Sequence, residues 1–218
     1  MDFAFTEDQD SIRDLVKQVL TDIVSDDSLK ALAKEGAWFH ERAWVQLAAS
    51  EMLGLAIPEQ YGGAGMGLTE LCLLLQQVGR TVAPIPAIET LVSAAVPLAA
   101  FGTPAQKDRF LGGIAQGRII MTPALVDTGS RDPLEPSAVA TADGENWRVR
   151  GQFSNVSYAD RADRIVVPAR SLDGATLVLL VYPNAEGVHL GEQRGSNGQP
   201  LWLLDLDGTT VPANDVLG

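Results

Sequence analysis

The hydrophobic period of this chain changes once, near Gly117, and that change restricts the fold more than any single motif does. Before it, apolar residues recur at helical spacing; after it, they fall in short β-rich runs separated by turn dipeptides. Helices first and strands second is an α+β order, because a doubly wound parallel sheet requires the two patterns to alternate. The expected division is a helical domain over residues 1–117 and a strand domain over residues 118–218. With 218 residues, the chain can bury a sizeable core.

In the helical part, Thr6 and Gln9 stand as a capping box, in which each side chain satisfies a free N–H at the helix start. Ile12, Leu15, Val16, Val19 and Ile23 follow as a helical stripe, and Trp44, Leu47, Ala48 and Leu53 form a second that stops at Gly54 to Pro58. The run "LTELCLLLQQVGR" is apolar on most sides, which predicts a central buried helix with Cys72 as a small core residue. "AIETLVSAAVPLAAFG" reads as a further helix closed by Gly102, and Thr103, Pro104 and Gln106 open the next as N-cap, N1 and N3. Beyond Gly117, the runs "RIIMTPALV", "AVATA", "WRVRG", "RIVVPAR", "TLVLLVY" and "LWLLDL" predict strands. Asp143-Gly144, Asp173-Gly174, Asn197-Gly198 and Asp207-Gly208 between them predict turns, and the set suggests a small barrel or sandwich.

Composition removes several classes of function. A formal net charge of −12 argues against nucleic acid or an anionic membrane as a partner. One cysteine excludes an internal disulfide and fits a reducing compartment. The opening "MDFAFTEDQD" shows no signal peptide, and no apolar run approaches the ~20 residues of a membrane span, so a soluble cytoplasmic setting is expected. His40 and His189 have no acidic or cysteine cluster at ligand spacing, so no metal site is expected. No G-x-S-x-G elbow is present, and no carboxylate pair proposes acid–base work. The glycine run "YGGAGMG" lacks the preceding strand that a phosphate loop needs, and reads as an interhelix loop. Two strand-half segments carry more: "MTPALVDTGSRD", a polar glycine-containing turn whose N–H groups could bind a ring edge or phosphate, and "GQFSNVSYADRAD", a strand interrupted by polar residues.

The order of segments then carries a resemblance. "GLAIPEQYGGAG", "FGTPAQKDRFLGGIAQGR", "ALVDTGS", "GQFSNVSYADRADRIVVPAR" and "VPANDVLG" are each similar to segments of acyl-CoA dehydrogenases, in the family's order and over nearly the whole chain. The resemblance implies an N-terminal helical domain followed by a small antiparallel β-barrel, with the family's C-terminal helical bundle absent after the closing "DLDGTTVPANDVLG". It implies FAD as cofactor, an acyl-CoA thioester as substrate, an electron-transfer flavoprotein as partner and a homo- or hetero-tetramer. No catalytic residue is assigned, because the family's glutamate base belongs to the absent bundle.

Carried over by position, Leu125 and Val126 fall at the pyrimidine edge of the flavin ring, Ser130 near its diphosphate and Ser157 beside its N5. Val126 lacks the family's hydroxyl, Asp127 replaces a glutamate, Phe153 a lysine and Asn155 a bulky aromatic, and the Ser130 spacing is one residue short. These departures set two readings beside each other. One is a flavin-dependent dehydrogenase; the other is a non-catalytic subunit that completes a sister chain's flavin site, as in heteromeric members acting on steroid side-chain thioesters. A flavin oxidase or monooxygenase on the same fold is a third.

Overall fold

The capping signals work as local chemistry requires. The Thr6 Oγ1 accepts the Gln9 N–H at 3.2 Å and the Gln9 Oε1 accepts the Thr6 N–H at 3.1 Å, opening α1 (Glu7–Ile23). Thr103 and Gln106 repeat the arrangement at the start of α6 (Pro104–Ala115). The computed structural model describes residues 4–132 and 134–218. Between these helices lie α2 (Asp26–Lys34), α3 (Glu41–Ala49), α4 (Leu68–Thr81), a π-helix (Ile88–Ala95) and α5 (Val96–Phe101). The π-turns run into α5 just before Pro97, whose missing N–H breaks the regular ladder.

α1 buries Ile12, Val16 and Leu20, at i+4 spacing, and leaves Leu15 exposed. α4 packs on α1, buries Leu71, Leu73, Leu74 and Gln77, and is not buried all round. Cys72 is therefore exposed, against the expectation that it fills the core: it falls on the solvent side of an amphipathic helix. His40 is buried as the N-cap of α3, its Nδ1 accepting the Ala43 N–H at 3.3 Å.

The second half is a curled mixed sheet of β1 (Met121–Pro123), β2 (Val126–Asp127), β3 (Val139–Asp143), β4 (Asn146–Ser157), β5 (Arg164–Ser171), β6 (Thr176–Val181), β7 (Val188–Arg194) and β8 (Pro200–Pro212). The order is β1-β5-β3-β4-β8-β7, with β2 on β4 and β6 on β5. Most pairs are antiparallel as expected, but β1 and β3 both run parallel to β5. Asp207-Gly208 is no turn: it is a bulge inside β8, where Gly208 takes φ 69° and the β4 register shifts between Val149 and Arg150. β7 was not among the predicted runs; its "VHLGEQR" is too polar to declare itself.

β5 shows how the halves join. Ile165, Val167 and Ala169 enter the sheet's own core, while Val166 on the opposite face joins Met121 and Leu180 in the core of the helices. One strand thus serves two cores by its period of two.

The glycine loop packs on the chain before it. The N–H groups of Ala64, Gly65 and Met66 bond to the carbonyls of Gly54, Ile57 and Leu55 at 2.8–2.9 Å, so they are not available to a phosphate. A Cβ on Gly63 would stand 2.0 Å from the Ile57 carbonyl oxygen. Gly63→Ala is expected to lower stability by about 3 kcal/mol, the upper range for overpacking against unyielding backbone. Chemical denaturation followed by circular dichroism measures it.

Candidate functional site

The most irregular backbone of the sheet is the end of β4. Its pairing with β8 shifts register between Phe153 and Val156, and Asn155 and Tyr158 take φ of 57° and 53°. Left-handed backbone at residues other than glycine is costly and gathers at functional sites, although asparagine bears it better than most. The Asn155 N–H is held by the Gln193 side chain at 2.9 Å. Asn155 and Phe153, both departures from the resembling pattern, thus have structural reasons: one suits the bulge, and the other is fully buried in the sheet core.

β2 lies antiparallel against this stretch, with Val126 opposite Ser154 and Asp127 opposite Phe153. Leu125 precedes the ladder. Leu125 and Val126 are 55% and 49% exposed and line a hollow of about 460 Å³ with Asp127, Ser130 and Arg131. The Ser157 carbonyl, at the end of β4, accepts the hydroxyl of buried Thr122 at 2.6 Å.

Ser130 differs. The Asp127 carboxylate accepts the N–H of Gly129 at 2.8 Å, of Ser130 at 3.2 Å and of Ser137 at 2.6 Å, and also the Ser137 hydroxyl. These bonds hold the Asp127 carboxyl below the usual carboxylate range, although burial opposes them. The Ser130 hydroxyl is spent on the Asp132 backbone at 3.1 and 3.2 Å. The amide cluster that could receive an anion already holds one.

Sequence reasoning missed Glu89. It lies on the π-helix, and burial raises its carboxyl above the ordinary carboxylate range. The helix is tied to the strands by its next residue: the Thr90 hydroxyl donates to the Met121 carbonyl at 2.9 Å and accepts the Met121 N–H at 3.3 Å. The Tyr158 phenol is buried beside Glu89 and raised above its usual range, chiefly by burial. Gln199 Nε2 donates to the Ser157 Oγ at 3.4 Å. A lone glutamate in a helical stripe gives no sign of such burial. Among the described residues, no group of His, Cys, Asp and Glu could hold a metal ion. No helix among them is long and apolar enough to cross a membrane.

With helices preceding a curled sheet, the chain belongs to the acyl-CoA dehydrogenase family: the model of that family's N-terminal domain matches residues 6–118. Among curated relatives it is 35% identical to acyl-CoA dehydrogenase FadE28 of Mycobacterium tuberculosis, covering 100% of this chain and 56% of that protein. FadE27 of the same organism is 30% identical over 98% of this chain. The chain spans about half the length of these curated relatives. Among solved structures, a variant of the Tcur3481-Tcur3483 steroid ACAD superposes with TM-score 0.89 at 34% identity, covering 97% of this chain and 57% of that one. The ChsE4-ChsE5 complex from Mycobacterium tuberculosis does so with TM-score 0.92 at 28% identity, covering 100% and 58%.

The donors fit the ring end of a flavin: strand-edge backbone at Leu125 and Val126 and a hydroxyl at Ser157 are the neutral groups a planar heterocycle requires. The diphosphate end fits less well, because the Ser130 amide is engaged by Asp127.

Proposed function

We propose that this chain is the helical and β-domain portion, divided at residues 117 and 118, of a flavin-dependent acyl-CoA dehydrogenase or of one of its subunits. What supports the reading is the family scaffold, with Leu125 and Val126 exposed at the start of β2, which pairs with β4, the strand that ends at Ser157. The Leu125 and Val126 backbone would hold the ring edge, Ser157 would hydrogen-bond the ring, and bound FAD would supply the hydride-accepting chemistry. Fixed geometry is what these residues contribute, since a misplaced ring loses the near-attack arrangement. An acyl-CoA thioester of the steroid side-chain type is the proposed substrate, by similarity to the steroid ACAD. An electron-transfer flavoprotein as acceptor, a tetrameric assembly and a cytoplasmic setting complete the proposal.

Asp127 favours a second form of it, in which this chain is the partner subunit and a sister chain holds the flavin diphosphate. The visible spectrum of the native protein distinguishes the two. A protein that is yellow when purified alone and bleached by an acyl-CoA under anaerobic conditions supports the dehydrogenase. Colour only on co-expression with a sister subunit supports the partner form. Oxygen consumption with acyl-CoA would favour an oxidase, and a colourless protein in both preparations would overturn the reading.

A further inference from the structure

We infer that the Asp127 carboxylate is a built-in anion in the turn that follows β2, so that this chain on its own selects against the diphosphate of a flavin dinucleotide while leaving Leu125 and Val126 to the ring. The inference rests on the proposed function for the place of the flavin, and on this chain's own hydrogen bonds for the rest. A phosphate held by backbone needs N–H groups that have no other acceptor. In this turn each of them has one. The Thr128 N–H donates to the Gln152 carbonyl at 3.0 Å. The Gly129 N–H donates to Asp127 Oδ1 at 2.8 Å, and the Ser130 N–H to the same oxygen at 3.2 Å. The Ser137 N–H donates to Asp127 Oδ2 at 2.6 Å, and its hydroxyl to Oδ1. The remaining hydroxyls are engaged as well: Thr128 donates to the Gln152 carbonyl at 3.1 Å and Ser130 to the Asp132 carbonyl at 3.2 Å.

The turn is closed down on the carboxylate. A Cβ on Gly129 would stand 2.3 Å from Ser137 Oγ and 3.5 Å from Asp127 Oδ1, which leaves less than the width of a methyl group. A diphosphate would therefore have to displace Asp127 from its donors on Gly129, Ser130 and Ser137, and would then lie beside the carboxylate it had freed. Like charges so placed repel, and the bonds given up are charge-assisted. Burial opposes the ionisation of Asp127, but the Ser137 and Gly129 donors outweigh it, so the charge persists. Arg131 is the cation on the rim of the same hollow, yet it is exposed, and salt screens an exposed charge.

The test compares FAD with riboflavin, which carries the same ring and no phosphate, by titration calorimetry on the native protein purified alone. Wild type should bind the two with similar dissociation constants. Asp127→Ser, whose short hydroxyl is uncharged and cannot serve three amides, should bind FAD about tenfold more tightly than riboflavin, the worth of one freed hydrogen bond to a charged group. Asp127→Asn keeps the shape without the charge and should move the ratio the same way by less. Inorganic pyrophosphate, which needs no ring site, should bind the Asp127→Ser protein and not the wild type. A wild type that already prefers FAD to that degree overturns the inference and leaves the proposed function standing, and so do variants that keep the wild-type ratio. Wild type and variants that bind neither flavin nor pyrophosphate also overturn it, and the colour on co-expression then judges the proposed function by itself. Should Asp127→Ser fail to fold, the wild-type ratio and Asp127→Asn decide the matter.

Discussion

Phe153→Ala is expected to lose about 3–5 kcal/mol of folding free energy, the range for truncating a fully buried aromatic. Phe153 has no exposed surface and sits in β4 between Asp127 of β2 and Leu204 of β8, inside the core that Val149, Val156, Ile165 and Leu206 share. Neighbours tied into ladders on both sides cannot collapse into the space, so the cavity persists. Phe153→Leu should cost much less. Phe153→Lys, which restores the residue type of the resembling pattern, should cost at least as much as alanine, because it buries an ammonium with no partner. Urea unfolding followed by circular dichroism measures all three. A lysine variant as stable as the wild type would show that the position can open to solvent, contrary to its burial.

The second large effect is at the junction of the two halves. Asp215, 5% exposed, accepts from Arg109 of α6 at 2.6 Å and faces Arg164 of β5 at 3.9 Å. Both arginines lie over the Phe110 ring, and the neighbouring Asn214 and Val216 carbonyls are held by the Gln106 side chain. Asp215→Ala is expected to cost about 3 kcal/mol, because the mostly buried Arg164 is left without its counter-charge while Arg109 can turn to solvent. Asp215→Ala with Arg164→Met should recover part of the loss, since no buried charge is then stranded. The same unfolding assay gives both numbers. A double variant no better than the single would place the cost in packing alone.

Much of the fold is written locally. A threonine three residues before a glutamine needs no distant partner to cap a helix, and both such boxes form. The change of period at Gly117 similarly follows from side-chain spacing. Other features depend on context. Whether Asp207-Gly208 is a hairpin turn or a bulge depends on Arg150 and Val149 across the ladder, not on the dipeptide. Cys72 is exposed because α1 covers only one side of α4. β7 exists because β8 offers it an edge, and its own residues would not have demanded a strand.

The candidate site divides in the same way. Leu125, Val126, Ser130 and Ser157 were legible only through resemblance in the order of segments. The sequence alone determined that helices precede strands, where two helices begin, and that the chain is acidic with one thiol, because those properties belong to single residues and their spacing. Tertiary structure alone decided that Asp127 closes on the Ser130 amide, that Asn155 bears a left-handed bulge, and that the Thr90 hydroxyl meets the Met121 backbone. The reason is physical: a hydrogen bond between groups far apart along the chain depends on how strands and helices pack, and nothing in local periodicity encodes that distance.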